Sequence, residues 1–260
     1  MDADTGVGQR IDTPLRARVS AEEWNTRVNL AACYRLAGYY GMTDQIYTHI
    51  SARVPGGAEH FLLNPYGLLF DEVTASTLVK VDLDGRVVDD TGLGINPAGF
   101  VIHSAIHAAR RDAGCVIHTH TRAGMAVAAQ KNGLLPLTQH AMRFWRRIAY
   151  HDYEGVALDF EERQRLVRDL SEYKAMILRN HGLLTVGATI REAFELMYYL
   201  ERSCQAQIDA MAGGAELNVP PPDVCERTAR QFERPGRAAV ERDWPALLRL
   251  LDRIDSSFRN

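Results

Sequence analysis

The sequence predicts a layered α/β domain in which helices pack against a sheet. Strand-like and helix-like segments alternate throughout residues 21–213, and this alternation is typical of layered α/β folds. Asp84-Gly85 separates two β-forming segments, which is a hairpin signal and therefore indicates antiparallel pairing. Ser20 and Glu23 have the spacing of a reciprocal capping box that begins a helix. We therefore expect one α/β domain that contains antiparallel strands.

The helices are predicted from capping residues and from apolar residues at helical spacing. Asn96 followed by Pro97 suits the first turn of a helix. Thr189 and Glu192 form a second capping box, and the helix that follows ends at Gly213-Gly214. The expected helices in chain order cover residues 21–40, 97–111, 122–131, a segment opened by Asp159, and residues 190–212.

Strands are expected where β-branched and aromatic residues cluster between turn signals. Residues 115–120 form a short apolar run that contains two histidines, which predicts a buried strand. The expected strands in chain order cover residues 45–54, 61–63, 79–82, 86–88, 115–120, 147–151, 175–180 and 183–186.

Composition along the chain divides it into three predicted segments. Residues 1–19 are polar and contain Gly and Pro, so we expect a flexible N-terminal arm. The domain covers residues 20–214. Pro220-Pro-Pro222 marks a boundary, and residues 215–260 are expected to form a helical C-terminal tail.

Length and charge restrict the possible functions. The chain has 260 residues, of which 46% are hydrophobic and 24% charged, so it can bury a core without disulfides or a structural metal. It carries 30 basic and 33 acidic residues, a net charge of -3. Nucleic acids and anionic membranes attract a basic surplus, so we expect neither as a partner. A small-molecule substrate is the expected ligand.

The cysteines and the N-terminus predict a cytoplasmic protein. The four cysteines form no Cys-x-x-Cys pair, which is typical of reduced thiols in a core. The first ten residues contain no apolar run, unlike a secretory signal. No segment approaches the roughly 18 apolar residues of a membrane-spanning helix.

Histidine is the residue type with an uneven distribution, because all nine histidines lie between His49 and His181. His118 and His120 occupy alternate positions of a predicted strand, so their side chains leave the same face. His181, followed by Gly182 for a tight turn, offers a third ligand. Three neutral imidazoles leave an open position on a divalent ion, as in catalytic sites. The residues alone leave open a metal site and a chance His-x-His spacing.

A rival pair of histidines lies on the predicted helix 97–111. His103 and His107 have the four-residue spacing of a helical zinc motif, but the residues between them lack its glutamate. We interpret this pair as a packed helix face. His60 and His151 carry no partner signal and are assigned no role.

Three separated segments carry a family resemblance: GFVIHSAIHAARRDAGCVIHTHTRAGMAVAA, NPYGLLFDEVTASTLVKVD and ILRNHGLLTVG. They resemble the class II aldolase and adducin head-domain family over roughly residues 25–213. The resemblance implies a three-layer α/β/α sandwich around a mostly antiparallel sheet, and a homotetramer with active sites between subunits. It also implies that His118, His120 and His181 bind a divalent metal, with zinc expected first and Fe²⁺, Mn²⁺ and Co²⁺ as alternatives.

The chain departs from the sugar-phosphate aldolases of that family near the start of the helix 97–111. Their catalytic glutamate lies 19 residues before the first metal histidine, and Gly99 holds that position here. Their two phosphate-binding serines correspond to Pro97 and Ala98, which offer no hydroxyl. Around this position the chain resembles the adducin branch, whose animal members are cytoskeletal proteins without the metal histidines.

The resemblance also suggests residues that contact a substrate. Family-like contacts are expected at Thr48, His49 and Gly67, and Asn96 is added as a substrate-binding candidate. His140 holds, by its distance from Pro136, the place of an aldolase tyrosine acid that reaches across the subunit interface. It is therefore the candidate proton carrier, since imidazole titrates near neutral pH.

Three functions compete at this point. The first is a metal-dependent lyase that cleaves a carbon–carbon bond of a small hydroxy-carbonyl compound, with Gly99 in place of the usual glutamate. The second is a non-enzymatic, adducin-like oligomeric scaffold or ligand-binding protein. The third is a non-haem iron oxygenase that uses the same three histidines.

Overall fold

A seven-stranded sheet forms the centre of the computed structural model, which describes residues 14–57, 59–89, 92–155, 160–233 and 240–260. The strand order is β3-β2-β1-β4-β7-β6-β5. Neighbouring strands are antiparallel except β5 and β6, which are parallel. The strands are β1 His49–Arg53, β2 His60–Leu63, β3 Val79–Asp82, β4 Cys115–Thr119, β5 Ala149–His151, β6 Ala175–Leu178 and β7 Gly182–Gly187.

Helices cover both faces of this sheet. The larger core contains buried residues of α2, α4, α7 and α9, and the core of the opposite face contains residues of α3 and α6. This arrangement confirms the three-layer α/β/α sandwich. The helices are α1 Leu15–Arg18, α2 Ala21–Tyr39, α3 Pro97–Ala109, α4 Arg122–Ala128, α5 Gln139–Met142, α6 Phe160–Leu170, α7 Ile190–Ala212, α8 Pro222–Glu233 and α9 Val240–Ile254.

The capping box at the start of α7 is only half formed. The Thr189 hydroxyl accepts a hydrogen bond from the Glu192 N–H at 3.1 Å, as the sequence predicts. The Glu192 carboxylate, however, accepts from the N–H of Ala188 at 2.7 Å and not from that of Thr189. The carboxylate therefore reaches one residue further back than a reciprocal box requires.

The first capping box is half formed for a different reason. Ser20 accepts from the Glu23 N–H at 3.1 Å, but the Glu23 carboxylate lies beside the fully buried Arg27 at 2.9 Å and Lys80 at 3.1 Å. Arg27 also donates to Asp89 at 2.7 Å. The buried guanidinium of Arg27 is stabilised by carboxylate partners, so Glu23 pairs with Arg27 and does not complete the cap.

The predicted hairpin around Asp84-Gly85 has only one full strand. β3 ends at Asp82, and the returning chain makes a single antiparallel bridge between Val81 and Val87. β3 is the edge strand of the sheet, so residues 86–88 have no further strand beside them among the described residues. The prediction of a strand over 86–88 is therefore wrong.

The segments outside the predicted domain are also ordered where they are described. Leu15–Arg18 forms the short helix α1 within the predicted arm, and Leu15 is buried. Trp244, Leu251 and Phe258 join the same core as α2, so the predicted tail packs against the domain. Asp159, the expected start of α6, lies outside the described residues. None of the helices in the described ranges is both long enough and apolar enough to cross a membrane.

Candidate metal centre

Three histidine side chains meet at one end of the sheet. His118 lies near the end of β4, His120 follows that strand, and His181 lies in the turn between β6 and β7. The Nε2 atom of His120 is 2.9 Å from the Nε2 atoms of both His118 and His181. Together the three offer ligand atoms within 4.8 Å of one another. Such convergence of imidazole nitrogens is the arrangement that a shared cation requires.

Hydrogen bonds at the other ring nitrogens orient two of these ligands. The Nδ1 atom of His118 lies 3.0 Å from the carbonyl oxygen of Leu183, and that of His120 lies 3.0 Å from a carboxylate oxygen of Asp44. A carbonyl and an ionised carboxylate only accept, so each Nδ1 carries a hydrogen and the Nε2 atom is the one left to bind a metal. The contact of Asp44 with His120 is the outer contact that commonly supports a metal-binding histidine.

Burial keeps two of the three histidines in the form that binds metal. Burial lowers the pKa of His118 well below its usual range, with smaller contributions from His181 and His120. The pKa of His181 is lowered to about 4, first by burial and then by the neighbouring His120. Both rings are therefore neutral at pH 7, and metal ligation requires neutral imidazole. The three histidines fit a divalent ion of the zinc type.

A tight turn before β1 brings Asp44 to the triad. Asp44 and Tyr47 form an antiparallel bridge, and Gln45 and Thr48 have φ values of 49° and 70°. A left-handed conformation is unusual for a β-branched residue and is often found at functional sites. The Thr48 side chain is buried, and its hydroxyl has no hydrogen-bond partner among the described residues. This turn also shortens the predicted strand 45–54, which begins at His49.

The turn that carries His181 depends on Gly182 for a reason other than the expected one. The left-handed residue of this turn is Asn180, with φ 55°, and Gly182 is not among the positive-φ glycines. A Cβ atom on Gly182 would instead lie closer than 3.0 Å to the carbonyl oxygen of Thr119. Gly182 therefore permits the close approach of β7 to β4 that brings His181 to His120.

His49 lies beside the triad on the neighbouring strand. It is the Cα partner of His118 in the β1–β4 pairing, so both side chains leave the same face of the sheet. His49 is buried, and neither ring nitrogen has a hydrogen-bond partner among the described residues. Burial, with a smaller electrostatic contribution from His120, lowers its pKa to about 4. Sequence reasoning selected this residue, and its contact with a substrate stays a prediction.

Two further predicted substrate residues lie on adjacent loops. Gly67 has φ 101°, a conformation that favours glycine. The N–H of the preceding residue, Tyr66, donates to the carbonyl of Gly94 at 2.8 Å, which joins this loop to the one that leads to Asn96. The Asn96 carbonyl accepts from the Phe100 N–H at 3.1 Å at the start of α3. Substrate contacts of Gly67 and Asn96 stay predictions.

His140 lies on the opposite layer of the same chain. It is on α5, and its ring centroid is 4.6 Å from that of Tyr199 on α7. His118 faces the α3 side of the sheet with Val116, whereas α7 covers the other side. The structure therefore does not bring His140 to the triad within one chain. Its proposed role requires a neighbouring subunit.

The rival pair His103 and His107 is packed against the sheet. His103 Nδ1 and His107 Nε2 lie 2.6 Å and 2.8 Å from the hydroxyl oxygen of Ser51, and all three residues are buried. The His107 ring also stacks on Phe61 at 4.9 Å. These contacts support the interpretation of a packed helix face.

Fold and site together define a class of protein: a three-layer α/β/α domain with a histidine triad of the metal-ligand type at one end of its sheet. The sequence model of the protein family described as the class II aldolase and adducin N-terminal domain matches residues 28–208. The chain belongs to this family.

The relatives of the chain include both aldolase-type proteins and adducins. The crystal structure of an aldolase II superfamily protein from Pseudomonas syringae is similar with a TM-score of 0.92 and 56% identity, over 95% of this chain and 100% of that one. The L-fuculose 1-phosphate aldolase of Glaciozyma antarctica PI12 has a TM-score of 0.80 and 28% identity, over 92% and 94% of the two chains. Alpha-adducin of Rattus norvegicus is 44% identical over 88% of this chain and 33% of its own length.

Proposed function

We propose that this chain is a metal-dependent lyase of the class II aldolase type that acts on a small hydroxy-carbonyl compound. The observation that carries the proposal is the convergence of the Nε2 atoms of His118, His120 and His181. The similarity of the chain to an L-fuculose 1-phosphate aldolase supports the reaction class. Zinc is the first choice of metal, followed by Fe²⁺, Mn²⁺ and Co²⁺, and the active form is a cytoplasmic homotetramer.

The residues of the chain divide the work of this reaction. When bound, the divalent ion supplies Lewis-acid polarisation of a carbonyl group. The three histidines would hold it, while Leu183 and Asp44 fix the hydrogen positions on two of the rings. The Thr48 hydroxyl and the His49 imidazole, which have no hydrogen-bond partner in the described part of the chain, are available to hydrogen-bond substrate oxygens.

Proton transfer must take a different route from that of the related aldolases. Gly99 has no side chain to move a proton, so another residue has to do so. His49, the partner of His118 in the β1–β4 pairing, is a candidate within the chain, and His140 is the candidate from a neighbouring subunit. Equal turnover of wild type and His140→Ala would remove His140 from the mechanism.

An adducin-like scaffold is the second candidate, and two observations favour it. Gly99 removes the usual acid/base residue, and the chain is 44% identical to a protein named alpha-adducin. A scaffold would keep the fold and bind a partner or ligand without turnover. The lyase would therefore carry out metal-dependent chemistry on a small molecule, whereas the scaffold would not.

Solvent-deuterium exchange distinguishes these functions. Dihydroxyacetone and hydroxyacetone are incubated in D₂O with zinc-loaded and with chelator-stripped protein, and loss of the proton signals next to the carbonyl is followed by NMR. The lyase is expected to exchange these protons only when loaded with zinc, because polarisation of the carbonyl acidifies the neighbouring C–H. Absence of exchange with fully loaded protein supports the scaffold. Oxygen consumption by anaerobically purified, iron-loaded protein would instead indicate an oxygenase.

A further inference from the structure

One stripe of α3 packs on two alternate residues of β1. Gly99, His103 and His107 are spaced by four residues and so lie on the same face of the helix. The two histidines contact the hydroxyl of Ser51, and Gly99 faces the ring of His49. Residues 49 and 51 point to the same side of β1. The helix stripe and the strand residues therefore form one continuous contact.

The hydrogen bonds along this contact have a fixed direction. His107 Nδ1 lies 3.2 Å from the carbonyl oxygen of Ala113, so Nδ1 carries the hydrogen and Nε2 accepts from the Ser51 hydroxyl. The same hydroxyl oxygen accepts from His103 Nδ1 at 2.6 Å. This directed chain joins α3 to β1 and sets the distance between the helix and His49.

The His49 ring and a side chain at position 99 exclude each other. A Cβ atom built on Gly99 would lie closer than 3.0 Å to three atoms of the His49 imidazole. Real Cβ atoms do not make such contacts, and the Ser51 bonds prevent β1 from moving away freely. In the observed position of the His49 ring, only glycine is accommodated at position 99.

The His49 ring that fills this volume has nitrogen atoms that could hydrogen-bond to a ligand. His49 is 8% exposed, and both of its ring nitrogens lack a hydrogen-bond partner among the described residues. Unpartnered buried polar atoms are rare and call for a specific explanation. His49 lies beside His118 on the adjacent strand, so a ligand held by the triad would satisfy these nitrogens.

We propose that residues 49 and 99 form a steric exchange pair: glycine at 99 admits the His49 imidazole, which fills the volume that a side chain at position 99 would occupy beside the residue where a substrate contact is already expected. The substrate contact rests on the proposed function. The exclusion between the two positions does not, because it concerns packing alone.

Thermal unfolding of metal-free protein tests the exclusion. Gly99→Ala is expected to lower Tm by about 5 °C through overpacking against the imidazole. In a His49→Ala background the same change should alter Tm by less than about 2 °C, because the ring is gone. Gly38→Ala is the matched control, since its Cβ would make an ordinary contact of 3.9 Å with Phe70. Equal losses from Gly99→Ala in both backgrounds would overturn the pair.

Zinc titration tests whether the two positions face the same metal. His49→Ala/Gly99→Glu is expected to bind zinc about tenfold or more tightly than His49→Ala/Gly99→Gln, because only a carboxylate in the vacated volume adds an anionic ligand. Equal zinc affinities of the two double variants would overturn the placement beside the metal of position 99 and of the His49 ring that fills its volume. If wild type binds no zinc, the proposed function fails, and the Tm comparison alone decides the exchange pair.

Discussion

Replacing His118 by alanine is expected to weaken zinc binding by more than about a hundredfold. The residue supplies one of only three converging imidazoles, and loss of an outer contact alone costs about 10- to 100-fold in metal affinity. Zinc affinity is measured by competition with a chromophoric chelator. Asp44→Ala, which removes the hydrogen-bond partner of the His120 ring, should show the smaller loss of about 10- to 100-fold.

His60→Ala is the matched control for this measurement. His60 lies on β2, at the side of β1 away from β4, and it is not part of the triad. Its replacement should leave the zinc affinity unchanged. An unaltered affinity in His118→Ala would contradict both the lyase and the oxygenase, because both depend on the same three histidines.

Replacing Arg27 by alanine is expected to lower the free energy of unfolding by about 3–5 kcal/mol. The Arg27 guanidinium is fully buried and donates to Glu23, Asp89 and the carbonyl of Leu78. Removing it leaves buried acceptors without their charged donor, which costs far more than loss of a surface pair. Urea unfolding followed by circular dichroism measures the change.

Arg86→Ala provides the comparison for a surface ion pair. The Arg86 and Asp84 side chains are 76% and 69% exposed, so this pair contributes about 0–1 kcal/mol. Equal stabilities of Arg27→Ala and Arg86→Ala would show that the cluster around Arg27 does not stabilise the fold.

Local patterns predicted most of the fold. Helical spacing located α2 and α7, and capping residues fixed their starts, because these signals depend on neighbours within a few residues. The extent of the β3 hairpin was wrong because its outcome depends on the position of β3 at the edge of the sheet. Propensity alone does not tell an edge strand from a central one.

In the metal site, too, local patterns were predictable from the sequence and long-range contacts were not. His118 lies near the end of β4 and His120 directly follows that strand, so their convergence follows from a spacing of two residues. Asp44 was missed because its partner, His120, is 76 residues away and no sequence spacing links them. Gly99 was recognised as a departure from the aldolases, but its packing reason, the ring of His49, became evident only from the contact between α3 and β1.

The central claim is that three imidazoles hold a divalent metal with an open position, and X-ray absorption of the zinc-loaded protein tests it most directly. We expect the zinc to be coordinated by three imidazole nitrogens and one or two further light atoms, without sulfur, although the chain has four buried free cysteines. A shell that contains sulfur, or one that is unchanged in His118→Ala, would contradict it.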